Sequence, residues 1–83
     1  MAYQILYVKS VLKDTQKLDN VTKKRLKKKI EIYLKNPLKY ATKLISPALG
    51  TYRWRIGNYR VVFDLKDKQI IVLKIKHRRE IYR

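Results

Sequence analysis

The chain has 83 residues, with 22 Lys and Arg against 6 Asp and Glu, for a formal net charge of +16. That length makes a single domain, residues 1–83, with no room for a second core. So much like charge destabilises a compact state, and its ordinary reason is a polyanionic partner. Disorder is excluded by the 46% of apolar residues, with seven Tyr, one Trp and one Phe among the residues that can build a core. No apolar run exceeds four residues (Ile5 to Val8, Ile70 to Leu73), so no segment spans a membrane. The N-terminus lacks a secretory signal, and zero cysteines exclude disulfide and cysteine–zinc scaffolds, so a cytoplasmic protein is expected. His77 is the single histidine, which excludes two-histidine acid–base chemistry; neither a metal nor a cofactor is expected.

Residues 3–8 (YQILYV) predict a strand, being short and rich in β-branched and aromatic side chains. Ser10 predicts an N-cap for a helix through Leu18, with Val11, Leu12, Thr15 and Leu18 on one side. Asp19-Asn20 breaks it. A second helix follows from about Val21 to Lys35, with Asn20 or Thr22 as cap and an apolar stripe of Leu26, Ile30, Tyr33 and Leu34. Pro37 stops it, and residues 37–50 read as an irregular connection. Residues 52–56 (YRWRI) and 59–65 (YRVVFDL) flank Gly57-Asn58, a two-residue hairpin turn. Residues 69–75 form a third strand after a turn at 66–68, and HRREIYR closes the chain as a basic, aromatic tail. The fold class is therefore α+β: strand, helix, helix, then a three-stranded antiparallel meander, with the helical hairpin on one face of a small sheet.

Alternation of side chains then sorts the sheet. Tyr52, Trp54, Ile56, Tyr59, Val61, Phe63 and Leu65 share the core face, joined by Ile71, Leu73 and Ile75. Arg53, Arg55 and Arg60 share the other, with Lys74 opposite Arg60 and Lys76 next along. Like charges directly opposite in an antiparallel pair are destabilising, so stability alone does not choose this set. Residue type adds to the argument: six of the seven arginines lie within 53–83, whereas eleven of the fifteen lysines precede residue 44. Guanidinium groups fork onto phosphate oxygens, whereas scattered lysines suit solubility and long-range attraction. The sheet face reads as a phosphate-binding surface, beside the alternative of a solvated face on which long cations are good surface residues. Lys23, Lys24, Lys27 and Lys28 belong to a basic helix run that reads either as a solvated face or as a salt-dependent contact with nucleic acid. Tyr82, among Arg78, Arg79 and Arg83, reads either as tail packing or as a platform for an unpaired base.

The stretch LGTYRWRIGNYRVVFDL, the strand after it and HRREIYR resemble the RelE/ParE toxin superfamily, closest to RelE-type messenger-RNA interferases. The resemblance runs from MAYQILYVKS through LKKKI and Asn36-Pro37 to the tail. It implies a RelE-like toxin of a type II toxin–antitoxin system that cleaves messenger RNA in the ribosomal A site and so inhibits translation. It also implies partners: the ribosome, and a cognate, acidic RelB-like antitoxin wrapped around the toxin. Cleavage in that family is similar to metal-independent ribonuclease chemistry, in which the ribose 2′-oxygen attacks the adjacent phosphate.

The resemblance maps paired strand cations onto Arg53 and Arg55, a phosphate-stabilising arginine onto Arg60 and a stacking tyrosine onto Tyr82. RelE relatives use a lysine base where this chain has Arg55, and an arginine stays protonated at ordinary pH. Lys76, His77 and Arg78 compete for the role of acid. Lys23, Lys24, Lys27, Lys28, Lys74, Lys76, Arg79 and Arg83 are expected to hold RNA or the ribosome. Two alternatives remain open: a ParE-type gyrase poison, and a non-catalytic RNA- or ribosome-binding domain.

Overall fold

A computed structural model describes residues 3–44 and 51–77. Four of the tail residues singled out above, Arg78, Arg79, Tyr82 and Arg83, lie outside the described residues. The chain order is β1 (Gln4–Tyr7), α1 (Lys9–Gln16), α2 (Asn20–Tyr33), a 3-10 turn (Pro37–Lys39), β2 (Ala41–Lys43), β3 (Tyr52–Ile56), β4 (Tyr59–Lys66) and β5 (Gln69–His77). The strands form one sheet in the order β1-β5-β4-β3-β2, with β1 parallel to β5 and the other pairs antiparallel.

The expected helical hairpin and meander are present, with shifted boundaries. Val8, not Ser10, takes the cap position of α1. Its N–H still donates to Val72 O of β5 at 3.2 Å, while its carbonyl accepts the N–H groups of Val11 and Leu12. One residue therefore ends the strand pairing and starts the helix, which leaves Ser10 inside the first turn. Asp19, with extended backbone, precedes α2 in place of the expected Asn20 or Thr22. Its carboxyl is held below the ordinary range, chiefly by the Thr22 side chain, although no cap hydrogen bond of standard geometry closes. The stripe on α2 behaves as its spacing implies: Leu26 and Ile30 are buried, and Tyr33 and Leu34 pack against the core as partly buried neighbours.

The connection at 37–43 is not irregular. The Trp54 indole Nε1–H donates to Pro37 O at 3.0 Å in the core. Tyr33 meets the same indole edge-on at 5.7 Å and stacks on Tyr40 at 4.4 Å. These contacts fix the 3-10 turn, and the chain then pairs Ala41 with Trp54 and Lys43 with Tyr52. Pairing, not propensity, makes Ala-Thr-Lys a strand, so the sheet has five strands.

The Gly57-Asn58 hairpin pairs Ile56 with Tyr59 and Arg55 with Arg60, and Gly57 has a φ of +59° that suits glycine at no steric cost. The next turn departs from expectation. It holds two residues, Asp67-Lys68, with Lys66 paired to Gln69 and Asp67 in the left-handed region at φ 57°. Asp tolerates that conformation better than most side chains. The register thereby moves by one, so Ile70 and Val72 enter the core instead of Ile71 and Leu73. A β-bulge restores the phase: Phe63 pairs with Val72 but Val62 pairs with Lys74, leaving Leu73 as the extra residue. Ile75 returns to the core as the sequence implies. Val11, Leu26 and Ile30 from the helices meet Trp54, Ile56, Val61, Phe63, Ile70, Val72 and Ile75 from the sheet, all nearly inaccessible. No described helix is long and apolar enough to cross a membrane.

Candidate nucleic-acid interface

The face of the sheet turned away from the helices carries two rows of side chains. Arg55 of β3, Arg60 of β4 and Lys76 of β5 pair directly across neighbouring strands. Adjacent strands lie ~4.8 Å apart, so three cations stand side by side across about 10 Å. The second row, about 7 Å along the strands, is Arg53, Val62 and Lys74. The bulge decides this arrangement. Lys76, not Lys74, stands opposite Arg60, because the extra residue at Leu73 moves every later residue of β5 by one.

Arg60 is only 6% exposed, the one charged side chain buried among the described residues. Val62 beside it is 4% exposed, although it faces away from the helices. Arg55 is exposed and Arg53 partly buried, and the Arg53 Nε is buried with no hydrogen-bond partner among the described residues. Long cations on a plain solvated sheet face would extend into water. Arg60 instead lies within the surface, its charge held beside two others.

Two carboxylates of the described residues stand near this face. Asp64, on the same face, accepts the Thr51 N–H at 2.8 Å and the Thr51 hydroxyl at 2.7 Å through one oxygen. That carboxylate anchors the start of β3. Asp14 of α1 reaches Lys76, with Oδ2 3.0 Å from Nζ, the single ion pair between described residues. No three His, Cys, Asp or Glu side chains among the described residues gather as a metal site.

The other expected residues separate from these rows. His77 pairs with Tyr59 and shares the helix-side face with Ile75, its ring edge-on to Tyr59 at 5.3 Å. It therefore stands on the opposite side of the sheet from Arg60. Lys23, Lys24, Lys27 and Lys28 are on α2, also across the sheet from the arginines, and Lys23 and Lys27 rim a groove of about 310 Å³ between α1 and α2. Tyr7 lines the same groove, and burial, then the Glu31 carboxylate, raises its phenol pKa above the ordinary value. Sequence reasoning missed Asp14 and the groove. The first had a weak signal, an acid in a helix otherwise basic; the second comes from helix placement alone.

A helical hairpin on one face of a small mixed sheet, with arginines and lysines on the other, defines a class of small basic α+β proteins. The chain belongs to the RelE/ParE toxin family: residues 5–82 match the family model described as the ParE toxin of the type II toxin–antitoxin system parDE. It is 32% identical to Toxin RelE3 of Methanocaldococcus jannaschii, over 95% of this chain and 94% of the relative. It is 31% identical to the mRNA interferase toxin RelE of Escherichia coli, over 99% of this chain and 92% of the relative. The crystal structure of the archaeal RelE–RelB complex from Pyrococcus horikoshii superposes with a TM-score of 0.74 at 33% identity, covering 94% of this chain and 97% of that one. The RelBE2 toxin–antitoxin complex of Mycobacterium tuberculosis shares the fold, with a TM-score of 0.76 at 22% identity over 93% of this chain and 99% of that one.

Proposed function

We propose that this chain is the toxin of a type II toxin–antitoxin pair and acts as an endoribonuclease on messenger RNA in the ribosomal A site. The observation that carries the reading is the row Arg55, Arg60, Lys76, with its central guanidinium nearly buried. Attack of a 2′-oxygen on the adjacent phosphate adds negative charge in the transition state, and preorganised donors aimed at that charge supply the largest share of catalysis. Arg60 is the phosphate clamp, and Arg55 and Arg53 hold the flanking backbone. An arginine at position 55 cannot accept the 2′ proton, so the base is water or a group of the ribosomal site. Protonation of the 5′-oxygen falls to Lys76 or Arg78 before His77, because Lys76 faces Arg60 and His77 stands across the sheet. Tyr82, outside the described residues, stacks on a base. The reaction requires no metal.

The partners in this reading are the ribosome, reached first through salt-dependent lysine contacts, and an acidic RelB-like antitoxin that complements the +16 charge. A ParE-type gyrase poison is the second reading, favoured by the wording of the family model. Purified protein incubated with translating ribosomes, with naked RNA and with gyrase and DNA separates them. Cleavage on ribosomes alone supports the proposal, gyrase-linked breaks support the second, and neither leaves a binding module.

A further inference from the structure

The row of cations ends at an acid that the reaction does not require. Lys76 lies beside Arg60 by register, yet its ammonium is 3.0 Å from Asp14 on α1. α1 packs along β5 and is fixed to it at its start by the Val8–Val72 hydrogen bond, so Asp14 is held by the fold and not by a mobile loop. The pair therefore fixes where the lysine head stands at this end of the row. It gives the third cation of the row a carboxylate partner held by the fold.

We infer that Asp14 is a positioning residue for the RNA site, orienting the Lys76 ammonium toward the phosphate that Arg60 holds. The inference rests on the ribonuclease reading. The plain alternative is that Asp14–Lys76 only clips the helix to the sheet. Ion pairs at partly exposed positions contribute little to stability, so the two roles separate in activity.

The test compares the wild type with Asp14→Asn, Asp14→Glu, Lys76→Met, the double variant Asp14→Asn/Lys76→Met, and the swap Asp14→Lys/Lys76→Asp. Each is scored by single-turnover cleavage of ribosome-bound messenger RNA and by thermal unfolding. Misplacing a positioned group by 1 Å costs up to ~100-fold, and a lysine left untethered still samples its place, so Asp14→Asn should slow cleavage on the order of tenfold. Asp14→Glu should recover most of the rate. In the Lys76→Met background Asp14→Asn should change nothing further, because its effect passes through Lys76. The swap should unfold close to the wild-type temperature, as should the single variants, yet not recover cleavage, since its cation then stands on α1. Cleavage by the swap at the wild-type rate, or independent losses in the double variant, overturns the inference and leaves the ribonuclease reading intact. Absence of cleavage by the wild type itself overturns both.

Discussion

Arg60→Met removes the central charge of the sheet face while keeping a stem of similar length. Arg60 stands opposite Arg55 on one side and Lys76 on the other, and is 6% exposed. The like-charge pair with Arg55 costs a few tenths to ~1 kcal/mol, and Lys76 is already paired with Asp14, so neutralising the centre returns at most about 1 kcal/mol. Arg60→Ala would also forfeit two buried methylenes at ~0.8 kcal/mol each, enough to offset that gain. The methionine avoids the loss, so its unfolding midpoint should match the wild type or rise by several degrees, at ~4–8 °C per kcal/mol for a domain of this size. Cleavage should fall by at least ~100-fold, the scale for losing one preorganised donor. The assay pairs single-turnover cleavage on programmed ribosomes with thermal unfolding of the same preparation. A folded Arg60→Met protein that cleaves within threefold of the wild type would refute the clamp. A midpoint many degrees lower would show that Arg60 serves the fold.

Tyr82→Phe should retain much of the cleavage rate and Tyr82→Ala lose most of it, since a stacked base is worth ~1–3 kcal/mol; ribosome pelleting should show both still bound. Trp54→Phe leaves the buried Pro37 carbonyl without its donor and should lower stability by ~1–3 kcal/mol in urea titrations, with protection from hydrogen exchange lost first at 37–43. Asp19 has its folded pKa below the ordinary 3.8, so its contribution is complete above 3.8 and disappears as pH falls through the lower folded value. Asp19→Ala should therefore flatten the acid limb of the stability profile without changing its shape above pH 5.

Legibility in the sequence followed how sharply each segment constrains itself. Gly57-Asn58 names its own turn, so the register of Arg53, Arg55 and Arg60 could be read directly, and with it the arginine face. Residues 69–73 are apolar at four successive positions, so alternation cannot choose between Ile70 with Val72 and Ile71 with Leu73. A two-residue turn and a bulge make that choice, and together they exchange Lys74 for Lys76 beside Arg60. β2 has no strand signature of its own, because its pairing depends on a tryptophan seventeen residues from the proline that fixes it. The burial of Arg60 and the reach of Asp14 to Lys76 are tertiary facts that no local pattern encodes.

The parallel pairing of β1 with β5 also sets the order of events during synthesis. Gln4 finds its partner at Gln69, so the first strand emerges with no neighbour until the last strand is made. At roughly 5–20 residues per second that wait is about 3–13 seconds. Pairing between strands so distant in sequence is also slow to form. Lys76 belongs to the same late strand, so the row through Arg60 exists only after β5 docks. A nascent chain therefore has the arginines before it has their arrangement. During that interval an exposed β4 edge is open to any acidic segment able to pair with it.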